Sequence, residues 1–192
     1  MKTILFGFAI MAILTACNEN TPQTKEAFSQ TNDTAKTIPA KQSEEKKAPE
    51  IKEVISAYLQ IKNALAADNA KDAAAGGKAL VEALGKVNAG SFTSARKKIF
   101  DDVRNDIKEN AEHISTNEAK IAHQREHFDM LSKDMYDLVK TVNPVQTLYQ
   151  DHCPMYNDGK GANWLSEVKE IKNPYLGKKM PDCGSVKETI TQ

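Results

Sequence analysis

The chain has 192 residues, and its 26 Lys plus Arg balance 26 Asp plus Glu, so the formal net charge is zero. A neutral chain with no basic stripe argues against a nucleic-acid partner. Few aromatics and moderate hydrophobicity suit a small helical domain.

The first residues have the three-part layout of a signal peptide. Lys2 is a positive n-region, Ile4 to Leu14 is an almost unbroken apolar run, and Leu14-Thr15-Ala16-Cys17 matches the bacterial lipobox. The apolar run is too short to span a bilayer comfortably, which takes roughly 20 residues. Residues 1–16 are therefore expected to be removed as a lipoprotein signal peptide. Cys17 is then lipidated and anchors the chain to a membrane by burying acyl chains at roughly 0.8 kcal/mol per CH2. Asn18 is not the aspartate often linked to inner-membrane retention, so the expected location is the cell envelope, periplasm-facing, on the outer membrane rather than the inner.

Residues 17–48 hold the lipidated cysteine and a segment of Thr, Gln, Lys, Ser, Glu and Asn with almost no large apolar residue. Such a segment cannot offset its ordering entropy by burial. It reads as a flexible tether reaching roughly 30 Å on average. The folded domain is expected over residues 49–192, starting at Pro49, a residue suited to a first helical turn.

Ile51, Val54, Ile55, Tyr58, Leu59, Ile61 and Leu65 form one apolar face at helical spacing. Asp68-Asn69 is a break with capping chemistry. A second, alanine-rich helix follows with Ala73, Leu80, Val81, Leu84 and Val87 as its face, and the pair Gly76-Gly77 inside it predicts either a bend or a close neighbour. Asn88-Ala89-Gly90-Ser91 reads as a turn. A third helix runs from about Thr93 to Ile114, with Ile99, Phe100, Val103, Ile107 and Ile114 inward. Ser115 and Glu118 have capping-box spacing, so the fourth helix is expected from there to about Val142, with a seam of Ile121, Phe128, Leu131, Met135, Leu138 and Val142. Asn143-Pro144 ends it. The fold class is mainly α: a four-helix up-down antiparallel bundle, with an irregular or short β-hairpin C-terminal segment packed on it. In that segment Thr147-Leu148-Tyr149 and Ala162 to Leu165 are candidate strands, and Asn157-Asp158-Gly159 is a turn signal.

The tail carries two soft-donor clusters, Cys153 with Met155 and Met180 with Cys183. Thiolate and thioether select Cu(I) or Ag(I) over hard cations, and the imidazole of His152 serves the same metals. The other reading is a disulfide between Cys153 and Cys183, permitted in an oxidising compartment. It would close a loop of about 30 residues and contribute roughly 3.5 kcal/mol in the chain-entropy model. Met155 and Met180 would then fill gaps in the core. His123 and His127 stand four apart on the fourth helix, a common way to hold a divalent metal, with His113 near the end of the third. On sequence, His123 sits on a polar flank beside Gln124 and reads as solvated. His127 borders the apolar seam and is the better candidate to join the tail's site. No nucleophile elbow, H-E-x-x-H, Walker loop or dinucleotide fingerprint is present, so a non-enzymatic protein is expected.

Cys153-Pro154-Met155, Gly161-Ala162, Trp164-Leu165-Ser166, Asn173-Pro174-Tyr175, Gly177, Met180 and Cys183-Gly184 resemble the signature of an uncharacterised family, domain of unknown function thirty-three forty-seven. Ala57-Tyr58-Leu59 through Leu65, Arg125-Glu126-His127-Phe128 and Leu131-Ser132 match its helical part. Three positions depart from the pattern: Asn163 for an aromatic, Leu176 for phenylalanine and Pro181 for leucine. Members resemble this chain as exported lipoproteins, and others are fused to the C-terminus of RND-type copper and silver efflux adaptors. The resemblance implies a metal-handling role. With it, the expected function is Cu(I) or Ag(I) binding for buffering or transfer to an efflux adaptor. The donors would be Cys153, Met155, Met180 and Cys183, with His127 or His152 as a further ligand. The alternative is an envelope interaction module in which Cys153 and Cys183 form a structural disulfide.

Overall fold

The computed structural model describes residues 49–191 apart from Asn143 and Val145. The expected signal peptide 1–16, the expected lipidation site Cys17 and the expected tether up to residue 48 lie outside the described residues. Four helices come first: α1 (Pro49–Ala66), α2 (Ala70–Lys86), α3 (Ser94–Thr116) and α4 (Ile121–Val142). Three strands follow: β1 (Leu148–Cys153), β2 (Ala162–Ser166) and β3 (Ser185–Ile190). Successive helices pack on one another, and the sheet lies on the bundle chiefly through β2 against α4 and α1. No helix of the described residues is long and apolar enough to cross a membrane.

The apolar faces read from the sequence form one core. Tyr58, Ile61 and Leu65 of α1, Leu80 and Leu84 of α2, Phe100, Ile107 and Ile114 of α3, and Phe128, Leu131, Met135 and Leu138 of α4 are all buried. The breaks also fall where the polar residues put them. Asp68 takes a left-handed conformation, and the Asn69 side chain caps α2 by accepting from the Asp72 N–H at 3.1 Å. Thr93 caps α3 through the Arg96 N–H at 3.4 Å. One expected cap is absent. Ser115 lies inside α3, where its hydroxyl donates to the Glu112 carbonyl at 2.8 Å, and α4 starts only at Ile121. A serine in a last helical turn bonds back to the preceding turn as readily as it caps the next helix.

Gly76 and Gly77 are sites of close approach. A Cβ on Gly76 would stand 2.9 Å from Ile61 Cγ1 and 3.0 Å from the Ile61 nitrogen in α1. One on Gly77 would stand 2.7 Å from the Ala111 carbonyl oxygen and 3.0 Å from the Ser115 nitrogen in α3. The pair lets α2 pass backbone-to-backbone between its neighbours. Gly77→Ala should destabilise the domain by about 1–3 kcal/mol through overpacking. Gly85→Ala, where no atom lies within 4 Å, should instead stabilise by about 0.5–1 kcal/mol. Equal effects in chemical denaturation would show that the close approach is not what Gly77 provides.

The sheet has the order β2-β1-β3 and is antiparallel throughout. β1 and β2 form the expected hairpin, with Asn157, Asp158 and Gly159 all at positive φ in its connection. β3 is an addition to the expected pattern. It pairs with β1 across a bulge at Gln150/Asp151 and alternates exposed with half-buried residues. Glu188 on β3 accepts from the Tyr136 hydroxyl at 2.7 Å and pairs with Lys140, which fastens this strand to α4.

An aromatic series joins bundle and sheet. Tyr58 of α1 stacks on Phe128 of α4 with ring centroids 5.2 Å apart. Phe128 meets Tyr175 at 5.7 Å, and Tyr175 meets Tyr156 at 4.5 Å and Trp164 at 5.9 Å. Asn173 shapes the loop that presents Tyr175: its Oδ1 accepts from the N–H groups of Tyr175 and Leu176, and its Nδ2 donates to the Cys183 carbonyl at 2.6 Å. Arg125 of α4 reaches the same loop, donating to the Pro174 carbonyl at 2.8 Å and to Asp68 at 2.6 Å.

Candidate metal centres

Two clusters of donor atoms stand out, one in the tail and one on the α3–α4 hairpin. In the tail, Cys153 ends β1 and Cys183 lies just before β3, so the pairing of these two strands brings the thiols together. Their sulfurs are 3.1 Å apart, with both cysteines free. That separation lies outside the ~2.05 Å of a disulfide, but a small shift would close it. Burial works to raise the Cys153 pKa. The Cys183 thiol, the Met155 and Tyr156 N–H groups and the Asn173 side chain outweigh it, and the net shift is downward. Cys183, sharing its proton with Cys153 and partly buried, is shifted upward. The pair therefore ionises first at Cys153, with the Cys183 S–H as donor. It is a dithiol able to oxidise to a disulfide or to hold a soft cation.

The other residues expected at this site are placed differently. Met155 is 57% exposed and does not fill a gap in the core, because it sits in the outward turn after β1. Met180 is half-buried, at the end of the short helical turn Gly177–Lys179. His152 precedes Cys153 on β1, so its side chain leaves the opposite face, where its Nδ1 lies 2.9 Å from Asn163 Oδ1. His127 stands with the other helical histidines. Among the described residues no histidine or carboxylate completes a three-donor group with the thiols.

The group that the described residues do assemble is His113, His123 and His127, with one ring nitrogen of each within 4.8 Å of the others. The turn between α3 and α4 folds His113 back over the first two turns of α4. The rings of His113 and His127 stack at 4.1 Å, and His123 stands edge-on to both, at 5.9 Å from His113 and 4.5 Å from His127. His123 is thus 37% exposed and packed against two imidazoles, which corrects its reading as a solvated flank. Asn110 lies one turn before His113 and is buried. Its Nδ2 donates to the Asp106 carbonyl at 2.9 Å, which turns its Oδ1 toward His127 Nδ1 at 2.9 Å. Burial, then the positive potential of His113 and His123, lower the pKa of His127 and favour the neutral ring.

The His123–His127 spacing and the nearness of His113 to the hairpin were visible in the sequence, but the part played by Asn110 was not, because it depends on how α3 packs beside α4.

Neither curated proteins nor solved structures give a match to the chain. The tail residues that carry much of the sequence resemblance lie beyond the matched part of the family. The family described as "Protein of unknown function (DUF3347)", the one the sequence resembles, matches residues 54–147, from α1 to the residue before β1.

Proposed function

We propose that the chain is a non-enzymatic lipoprotein of the cell envelope, held by lipid on Cys17, that binds Cu(I) or Ag(I). It would buffer the ion or pass it by ligand exchange to an RND-type efflux adaptor. The observation that supports this reading is the approach of Cys153 and Cys183 to 3.1 Å, with Cys153 readied for ionisation by surrounding N–H donors. Two thiolates suit a soft monovalent ion. Met155, two residues after Cys153 and exposed, would take the ion over at the surface. The ion would sit between sulfurs that must part to admit it, so binding and disulfide formation exclude each other.

The test is Cu(I) competition against a chromophoric chelator under strict reduction. The expected result is one tight equivalent that disappears in Cys153→Ser and in Cys183→Ser and weakens less in Met155→Leu or Met180→Leu. If the double cysteine variant holds Cu(I) as tightly as the reduced wild type, the proposal fails. The same 3.1 Å separation favours a second reading, an interaction module stapled by a Cys153–Cys183 disulfide. Protein recovered from the envelope with no free thiol and no copper would select that one.

A further inference from the structure

We propose that His113, His123 and His127 form a second metal site, distinct from the thiol pair, that takes one borderline divalent cation such as Zn(II) or Cu(II) through three imidazole nitrogens and leaves a fourth position open. Imidazole is the preferred ligand of these ions, and three histidines plus an open position is an established arrangement for them.

Three observations carry the inference. The first is the approach of three ring nitrogens, one per residue, to within 4.8 Å. Three nitrogens bound at roughly 2.0–2.1 Å stand closer together than that. The contraction is within reach of side-chain rotations, since His113 is exposed and His123 only half-buried. The second is orientation. A metal-binding histidine ordinarily donates its other ring N–H to an oxygen, which fixes the tautomer and the ring. His127 Nδ1 faces Asn110 Oδ1 at 2.9 Å, and His123 Nδ1 faces the Glu126 carboxylate at 3.4 Å. The His127 ring, donating its Nδ1–H to Asn110 Oδ1, presents Nε2 as the free lone pair, while the longer His123–Glu126 approach sets only the direction that ring's Nδ1 faces. Asn110 is held in turn by its bond to the Asp106 carbonyl, so the support extends one step beyond the ring. The third is access. His127 and Asn110 line a cleft of about 320 Å³ between α3 and α4 whose walls carry three carboxylates, Asp106, Glu109 and Asp134, against one cation, Lys133. Carboxylates around a concave surface raise the local concentration of cations. A stack of imidazoles made only for packing needs neither oriented Nδ1 partners nor an acidic approach.

The experiment titrates Zn(II) by calorimetry into the Cys153→Ser/Cys183→Ser chain, in which the thiols cannot contribute, with circular dichroism confirming the fold. One equivalent is expected. His113→Ala, His123→Ala and His127→Ala should each weaken it at least tenfold. His113 is exposed, so its truncation cannot be read as unfolding. Asn110 is a positioning residue: Asn110→Ala should cost about 10–100-fold, and Asn110→Asp, which keeps the acceptor, should restore binding. His152→Ala should change nothing. A second readout needs no variant: on the unsubstituted, reduced chain, Zn(II) should shift the imidazole proton resonances of all three residues. Unchanged affinity in His113→Ala, or ring resonances unmoved by Zn(II), would overturn the site. Either result leaves the thiol-dependent Cu(I) titration untouched, so the two readings fail separately.

Discussion

Trp164→Ala should destabilise the folded domain by about 3–5 kcal/mol, a fall in melting temperature on the order of 10 °C. Trp164 is the chain's single tryptophan. It is 1% exposed, lies on β2, and stands edge-on to Tyr175 at 5.9 Å. Through Tyr175 it connects to Phe128 and Tyr58, so its ring ends the aromatic series that holds the tail to the helices. Gly184 leaves room for it: a Cβ there would stand 3.0 Å from Trp164 Cη2 and 2.9 Å from the His152 carbonyl oxygen. Removing the indole leaves a cavity bounded by sheet, loop and bundle, which no single flexible side chain can collapse into. Folded wild type should emit at short wavelength. It should shift red on unfolding in the same transition that abolishes the helical circular dichroism. A solvent-like emission maximum, or loss of the tryptophan signal well before the helices melt, would show a tail that is not docked.

The helical half of this fold was legible because its periodicity is unambiguous. Phe128, Leu131, Met135 and Leu138 can share a buried stripe only on a helix, and all four are buried in the core. The β1–β2 hairpin was legible from its turn residues. β3 was not, because Ser185 to Ile190 is a half-exposed edge strand: its apolar residues are too few to mark a period, and its place is set by pairing with β1. The thiol pair could be read by counting, since two cysteines remain once Cys17 is assigned to lipid. The partner of Lys62 could not. Helical spacing puts Lys62 on the apolar face of α1, four residues after Tyr58 and three before Leu65, and it is fully buried, but its partner Glu167, reached at 2.8 Å, lies more than 100 residues away. A long-range partner of this kind follows from topology and leaves no local pattern.

The buried polar group that should respond most strongly to pH is Asp151. It is fully buried on β1, two residues before Cys153, and neither of its carboxylate oxygens has a hydrogen-bond partner among the described residues. Burial pushes its pKa up to about 7, against a smaller downward pull from Lys62. The charged group acting on it from α1 is Lys62. Lys62 is already hydrogen-bonded to Glu167, and burial lowers its own pKa. The sign follows from the raised value. Below about pH 4 both folded and unfolded chains hold the Asp151 proton, and the group costs nothing. As pH rises from there toward 7, the unfolded chain releases a proton that the folded chain keeps, and stability falls. Above about 7 the folded carboxyl ionises too and the loss levels off. At about 1.4 kcal/mol per unit, the full span amounts to at most about 4 kcal/mol. Asp151→Asn should therefore stabilise the domain at pH 8 and leave it almost unchanged at pH 4. The measurement is the difference between the two proteins in denaturant unfolding across that range, with chelator present and thiols reduced. Taking the difference removes groups such as Asp68 and Glu188, whose lowered pKa values act in the opposite direction below about pH 4. If Asp151→Asn instead destabilises the domain at pH 8, the carboxylate is charged in the fold and paired with Lys62, and the raised value is wrong.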